Sequence, residues 1–242
     1  MAEFDRPTIA AARAGTAAAI DEGLRSYMLK VYNYMGVGLV VTGLVAYFTN
    51  QWAMSSEANF NLLYGSPLMW VIALSPLAFV LVLSFGINKL SVPAAQAVFW
   101  AFAAIMGLSL SSIFMVYTDA SIAKVFFISA ATFGAMSLYG YTTKRDLTGI
   151  GNFLIMGLIG LIIASIVNIF LASSMLDFAI SAIGVLIFVG LTAYDTQKVK
   201  ESYDEGLGAE VLQKSAVMGA LSLYLDFINL FLMLLRLFGS RE

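Results

Sequence analysis

Long apolar runs broken by short polar stretches organise this chain, with none of the strict alternation expected of half-buried strands. A hydrocarbon core about 30 Å thick is crossed by roughly 20 predominantly apolar residues in a helix. Seven runs meet that requirement: residues 28–48, 67–85, 94–117, 122–141, 150–171, 176–194 and 217–238. The breaks at 50–66, 86–93, 118–121, 142–146, 172–174 and 195–214 carry turn or charge signals. Only the first and last breaks are long, so no soluble domain fits between the runs. The pattern predicts an all-α integral membrane protein, with a tail over 1–27 and a seven-helix transmembrane domain over 28–242.

Composition narrows the chemistry. Hydrophobic residues make up 60% of the chain and charged residues 12%, which places it outside ordinary globular usage. There is no cysteine and no histidine. That removes disulfides, thiolate nucleophiles, histidine-dependent triads, HExxH zinc proteases and the commonest near-neutral proton carrier. A net charge of −2 with no basic patch gives no reason to expect a nucleic-acid partner. The tail holds Arg6, Arg13 and Arg25 beside Asp5, Asp21 and Glu22, without an apolar stretch of its own. It is expected to be no cleavable signal peptide, but a loosely ordered tail turning helical near Ile20.

Positive charge orients the spans. With the N-terminus inside, Arg25, Lys30, Lys89, Lys144, Arg145, Lys198, Lys200 and Lys214 all fall on the cytoplasmic side, and the three opposite loops contain no Lys or Arg. Arg236 and Arg241 fit this rule only if the last segment turns back, so a full crossing and a re-entrant course both stay open. Lys124 lies just inside the fourth run, where it can snorkel. Glycines recurring within the runs, among them Gly36, Gly107, Gly134, Gly184 and Gly190, are expected to serve close helix packing, and Pro76 to kink the second span.

Two acidic residues stand apart from the others. Asp195 follows the apolar stretch 180–194, and Asp226 is embedded in LSLYLDFINLFLMLL. A carboxylate in such a place is costly and marks an ion or proton path, or a hydrogen bond that fixes packing. Ser222, Asp226 and Asn229 follow at helical spacing along one stripe, and Thr192 lies three residues before Asp195. Whether the carboxyls meet depends on depth. If the last span starts at Val217, Asp226 lies about 14 Å inside, too deep for Asp195 at the edge; entry nearer Ala220 lets them meet. Together they would share one proton and titrate as a unit, a pH sensor without histidine. Deprotonated, they offer hard oxygen ligands for a weak Ca²⁺ site suited to passage. Lys89, after the second span, is a candidate to pair with Asp195, though also a plain snorkelling anchor. Asn168 is expected to make an interhelical hydrogen bond in the fifth span.

The segments GLTAYDTQKVKESYDEG (190–206) and MGALSLYLDFINLFLMLLRLFG (218–239), with GYTTKRDLTGIGNF (140–153) and VNIF (167–170), resemble the Bax inhibitor-1 family, in particular its bacterial YccA-like members. The resemblance runs over all seven spans and not the tail. It implies six helices around a central C-terminal one, and a pH-sensitive calcium leak channel whose di-aspartyl sensor matches Asp195 and Asp226. It also implies a bacterial inner membrane location and, for YccA-like relatives, modulation of a membrane-bound AAA protease as the alternative role, with the tail as contact. Some relatives close the pore with an arginine after the second span; FGINKL (85–90) offers only Lys89. An acidic residue some relatives carry in the second span is replaced near Ser75 or Pro76. No enzymatic activity and no cofactor are expected: intramembrane aspartyl proteases carry G-x-G-D, where this chain has Leu223-Tyr224-Leu225-Asp226.

Overall fold

The computed structural model describes the backbone of residues 6–241 and the side chains of residues 22–241. Eight α-helices follow one another: α1 (Arg6–Met54), α2 (Glu57–Leu63), α3 (Leu68–Gly86), α4 (Val92–Leu110), α5 (Asp119–Thr142), α6 (Thr148–Leu171), α7 (Ser174–Glu201) and α8 (Ala209–Phe238). Seven are long and apolar enough to cross a bilayer; α2 is a short helix in the first break. The helix of α1 starts at Arg6 rather than near Ile20, in a stretch rich in alanine, the strongest helix former. The expected contact role of the 1–27 tail falls mostly on residues 1–21, whose side chains lie outside the described residues.

The α8 helix is the core of the bundle. In its apolar window 72% of residues are buried, against at most 39% in any other span. It packs directly on α1, α4, α5 and α7, while α3 stands outside α4 and α6 outside α7. The central position of the last helix thus holds, with two of the six surrounding helices in an outer layer. Their outward faces are lined with exposed residues such as Trp70, Leu77, Phe153 and Ile163, the surface that lipid solvates.

The last segment crosses completely. Arg236 lies 3.9 Å from Asp177 at the start of α7, and the amide of Ser240 donates to Ser121 Oγ at the start of α5. The C-terminus therefore sits at the end opposite to the one bearing Lys89, Lys144, Arg145, Lys198 and Lys200, called the basic end below. At the basic end Asp146 precedes α6. The side chain and then the backbone amide of Thr148 hold its carboxyl below the usual range. This contact contributes above the ordinary aspartate pKa and is lost only as pH falls through the lowered one.

Close contacts fix both α8 and the α5–α7 pair in register. Thr42 of α1 donates to the carbonyl of Ala103 at 2.8 Å, so its oxygen accepts from the Tyr224 hydroxyl at 2.6 Å. Tyr224 is fully buried, with its ring edge-on to Phe102. Y224F is expected to cost about 1–2 kcal/mol by stripping Thr42 of a buried partner, checked by thermal unfolding in micelles. Gly140 of α5 lies against the backbone of Ala193 on α7 so closely that any side chain would overlap it.

Candidate functional site

The site forms where α7 and α8 run antiparallel near the basic end. Ser202 and Ser215 lie 3.3 Å apart, and both hydroxyls meet the Tyr27 hydroxyl of α1 at 3.0 Å. Deeper in, Val199 packs on Gly219, where an added Cβ would meet Val199 at 2.9 Å. Asp195 is four residues beyond Val199 and Asp226 seven beyond Gly219, so Asp226 is about 4.5 Å deeper at 1.5 Å per residue. The Cα–Cβ bonds close that gap. Each tilts toward its own helix N-terminus, so Asp195 leans inward and Asp226 leans back toward the basic end. The two carboxyl groups come within hydrogen-bonding reach of each other.

Their surroundings differ. Asp195 is half-buried and lines a cavity of about 220 Å³ with Lys198, Ser202, Ser215, Gly219 and Ser222. Asp226 lies behind it, 5% exposed. Its Oδ2 is buried, and no donor among the described residues reaches it. A carboxylate oxygen there, facing a second carboxylate, is unfavourable twice over: it is desolvated and like-charged. A single proton between the two groups removes both penalties, by supplying the missing donor and cancelling one charge. On the other side of Asp226 the polar lining stops. Phe227 packs edge-on against Phe126 and Phe133, and Phe231 against Phe126.

A family model described as "Inhibitor of apoptosis-promoting Bax1" matches residues 24–242, which includes every residue of this site. The chain belongs to the Bax inhibitor family. It is 51% identical to the inner membrane protein YbhL of Escherichia coli (strain K12) over 223 residues, covering 91% of this chain and 94% of that one. An uncharacterized protein of Rickettsia prowazekii is also 51% identical, over 222 residues and 92% of both chains. An uncharacterized membrane protein of Streptococcus pyogenes is 39% identical over 92% of this chain and 96% of its own length.

Of the residues that the Bax inhibitor resemblance and the polar stripes single out, Asp195, Asp226 and Ser222 gather at this site. The break at 195–214 is corrected: α7 continues through Glu201, and only residues 202–208 separate it from α8. Asp195 is therefore inside a helix, not at its edge. Thr192 is buried beside the pair but donates to the Phe188 carbonyl of its own helix at 2.7 Å. Asn229 likewise turns its amide to the Leu225 carbonyl at 2.8 Å, so the polar stripe on α8 ends at Asp226. Asn168 is not interhelical glue here. It lies near the end of α6, where its Oδ1 accepts from the Ser173 amide and secures the α6–α7 turn at the opposite end of the bundle. Lys89 is exposed in the turn after α3 and forms no ion pair among the described residues. The cation whose charge acts on Asp195 is Lys198, one helical turn away on α7.

The structure adds a hydroxyl chain beside the pair. Thr196 donates to the Thr192 carbonyl at 2.7 Å, so its oxygen accepts from Ser137 at 3.0 Å. Ser137 in turn accepts from the Tyr32 hydroxyl at 2.7 Å. The chain crosses from α1 through α5 to the residue after Asp195. S137A leaves a donor and an acceptor without partners and is expected to cost about 1–3 kcal/mol, more than Y32F, in micelle unfolding measurements. Gln197 is a further buried polar residue: it accepts from the Leu147 amide and donates to the Arg145 carbonyl, tying the α5–α6 loop to α7.

Proposed function

We propose that this Bax inhibitor family member is a passive cation pathway, with Ca²⁺ as its foremost permeant ion, controlled by one proton held between Asp195 and Asp226. The observation that carries this reading is the buried, donorless Oδ2 of Asp226 beside a second carboxyl. Protonated, the pair is a neutral plug next to the aromatic cluster of Phe126, Phe133 and Phe227. Deprotonated, it is an anionic site reached from the Asp195 cavity, where Ser222 adds an oxygen ligand and Ser202 and Ser215 line the mouth. Among the described residues no group of three or more acidic, histidine or cysteine side chains converges. Two carboxylates with hydroxyls make a weak Ca²⁺ site, and weak binding lets an ion leave as readily as it enters.

By the positive-inside rule the basic end, and with it the cavity mouth, faces the cytoplasm. In this reading Lys198, not Lys89, is the cation beside the entrance. The proposal includes no enzymatic step and no cofactor. A proteoliposome assay with entrapped Ca²⁺ indicator tests it. Wild-type protein should give flux above empty vesicles that varies with pH; flux equal to empty vesicles at every pH rejects the proposal.

A further inference from the structure

The α1 and α5 helices both lie against α8 but are held apart from each other, with the Tyr32–Ser137 hydrogen bond between them. The space between them is a crevice of about 630 Å³, within the usual range for ligand sites. Its walls are Met28, Met35 and Gly36 on α1 and Phe133, Gly134 and Leu138 on α5. Gly36 and Gly134 do not serve helix packing: a Cβ at either would meet nothing within 4 Å. The two glycines instead widen the crevice. Its flanks, Leu29 and Leu138, are more than half exposed on the outward surface of the spans, so the medium that reaches it is the bilayer.

Only one end of the crevice is charged. Arg25 and Tyr141 line it at the basic end, and Lys200 sits over the Tyr141 ring at 5.2 Å while donating to the Tyr141 carbonyl. Apolar walls closed at one end by cations are complementary to one kind of bilayer component. We propose that the crevice binds an acidic glycerophospholipid of the leaflet at the basic end, with an acyl chain along Met28, Met35 and Phe133 and the phosphate at Arg25 and Lys200. Flexible methionine side chains mould to an acyl chain that itself has many conformers. Each basic side chain near an anionic lipid surface contributes about 1 kcal/mol. The site is independent of ion conduction, since neither carboxyl takes part.

The test is photolabelling in nanodiscs with phosphatidylglycerol that carries a diazirine on its acyl chain, compared with the same probe on phosphatidylethanolamine. In wild type the anionic probe should label the peptides around Met35 and Phe133 more strongly than the zwitterionic one. R25Q should reduce that preference about five-fold, the worth of one basic group at such a surface. G36L/G134L starts both side chains in open space, fills the crevice and should abolish the labelling, whereas G160L, at another open position on α6, should leave it intact. Equal labelling of wild type by both probes overturns the proposal. So does undiminished labelling of G36L/G134L with the fold retained by circular dichroism. If G36L/G134L fails to fold, the wild-type and R25Q arms still decide.

Discussion

If the proposed proton-controlled cation pathway holds, replacing either Asp195 or Asp226 by asparagine is expected to flatten the pH dependence of Ca²⁺ flux, and replacing both to abolish it. One titrating proton can change a conductance by at most about tenfold per pH unit, the 1.4 kcal/mol that linkage assigns to a single proton. Wild type should approach that slope on one side of its midpoint. D226N leaves Asp195 facing a neutral amide at the cavity edge, so the shared proton is gone and the steep response goes with it. D195N leaves Asp226 buried beside an amide that donates directly to it, which supplies the hydrogen bond that the proton provided. Both variants are isosteric, so the helices keep their packing. Liposome flux measured across pH for the two single variants and the double variant checks this; an unaltered slope in the double variant would mean that the response arises elsewhere.

The second large effect is on the fold that brings the pair together. G140L should destabilise the protein by about 3 kcal/mol or more, at the upper end of overpacking costs, because the added side chain meets backbone of α7. The carbonyl, carbonyl carbon and Cα of Ala193 all lie in its way, and no rotamer change can move them. Relief requires α7 to shift, and Asp195 is two residues further along. G140L should therefore also weaken the pH response of whatever protein remains folded. G134L on the same helix, with open space around its Cβ, should unfold at the wild-type temperature. Thermal unfolding of both variants in the same micelles separates a tight contact at Gly140 from a general intolerance of bulk on α5.

The spans were legible because the bilayer imposes one length on every apolar run: each of the seven runs has its helix, and only 94–117 clearly outruns it, since α4 gives way at Ser111–Met115 to a 3-10 turn and 116–117 are no longer helical. What misled was polarity near a helix end. Asp195, Thr196, Gln197 and Lys198 look like the start of a loop, yet α7 continues through them. Thr196 and Gln197 point inward to Ser137 and to the 145–147 backbone, while Lys198 reaches solvent. The spacing of Thr192, Asp195 or Thr196, and Val199 carries that signal, since all fall on one helical face. Partners distant in sequence left no local trace: Tyr32 and Ser137 are 105 residues apart, and Tyr27 and Ser215 are 188. Charge alone suggested Lys89 for Asp195, but a lysine's place in a bundle depends on how the turn after α3 is set, which α3's apolar run does not encode. Small size alone made the glycines one class. The contacts divide them into tight approaches such as Gly140 and Gly219, and open positions such as Gly36 and Gly134.

The shared proton is tested most directly by infrared spectroscopy of the protein in lipid, following the carbonyl stretch of protonated carboxylic acid as pH is raised. The account predicts a protonated-carboxyl band in wild type near neutral pH that disappears in one step at higher pH and is missing from both D195N and D226N. A spectrum without such a band, or one in which the band survives unchanged in D226N, would contradict it.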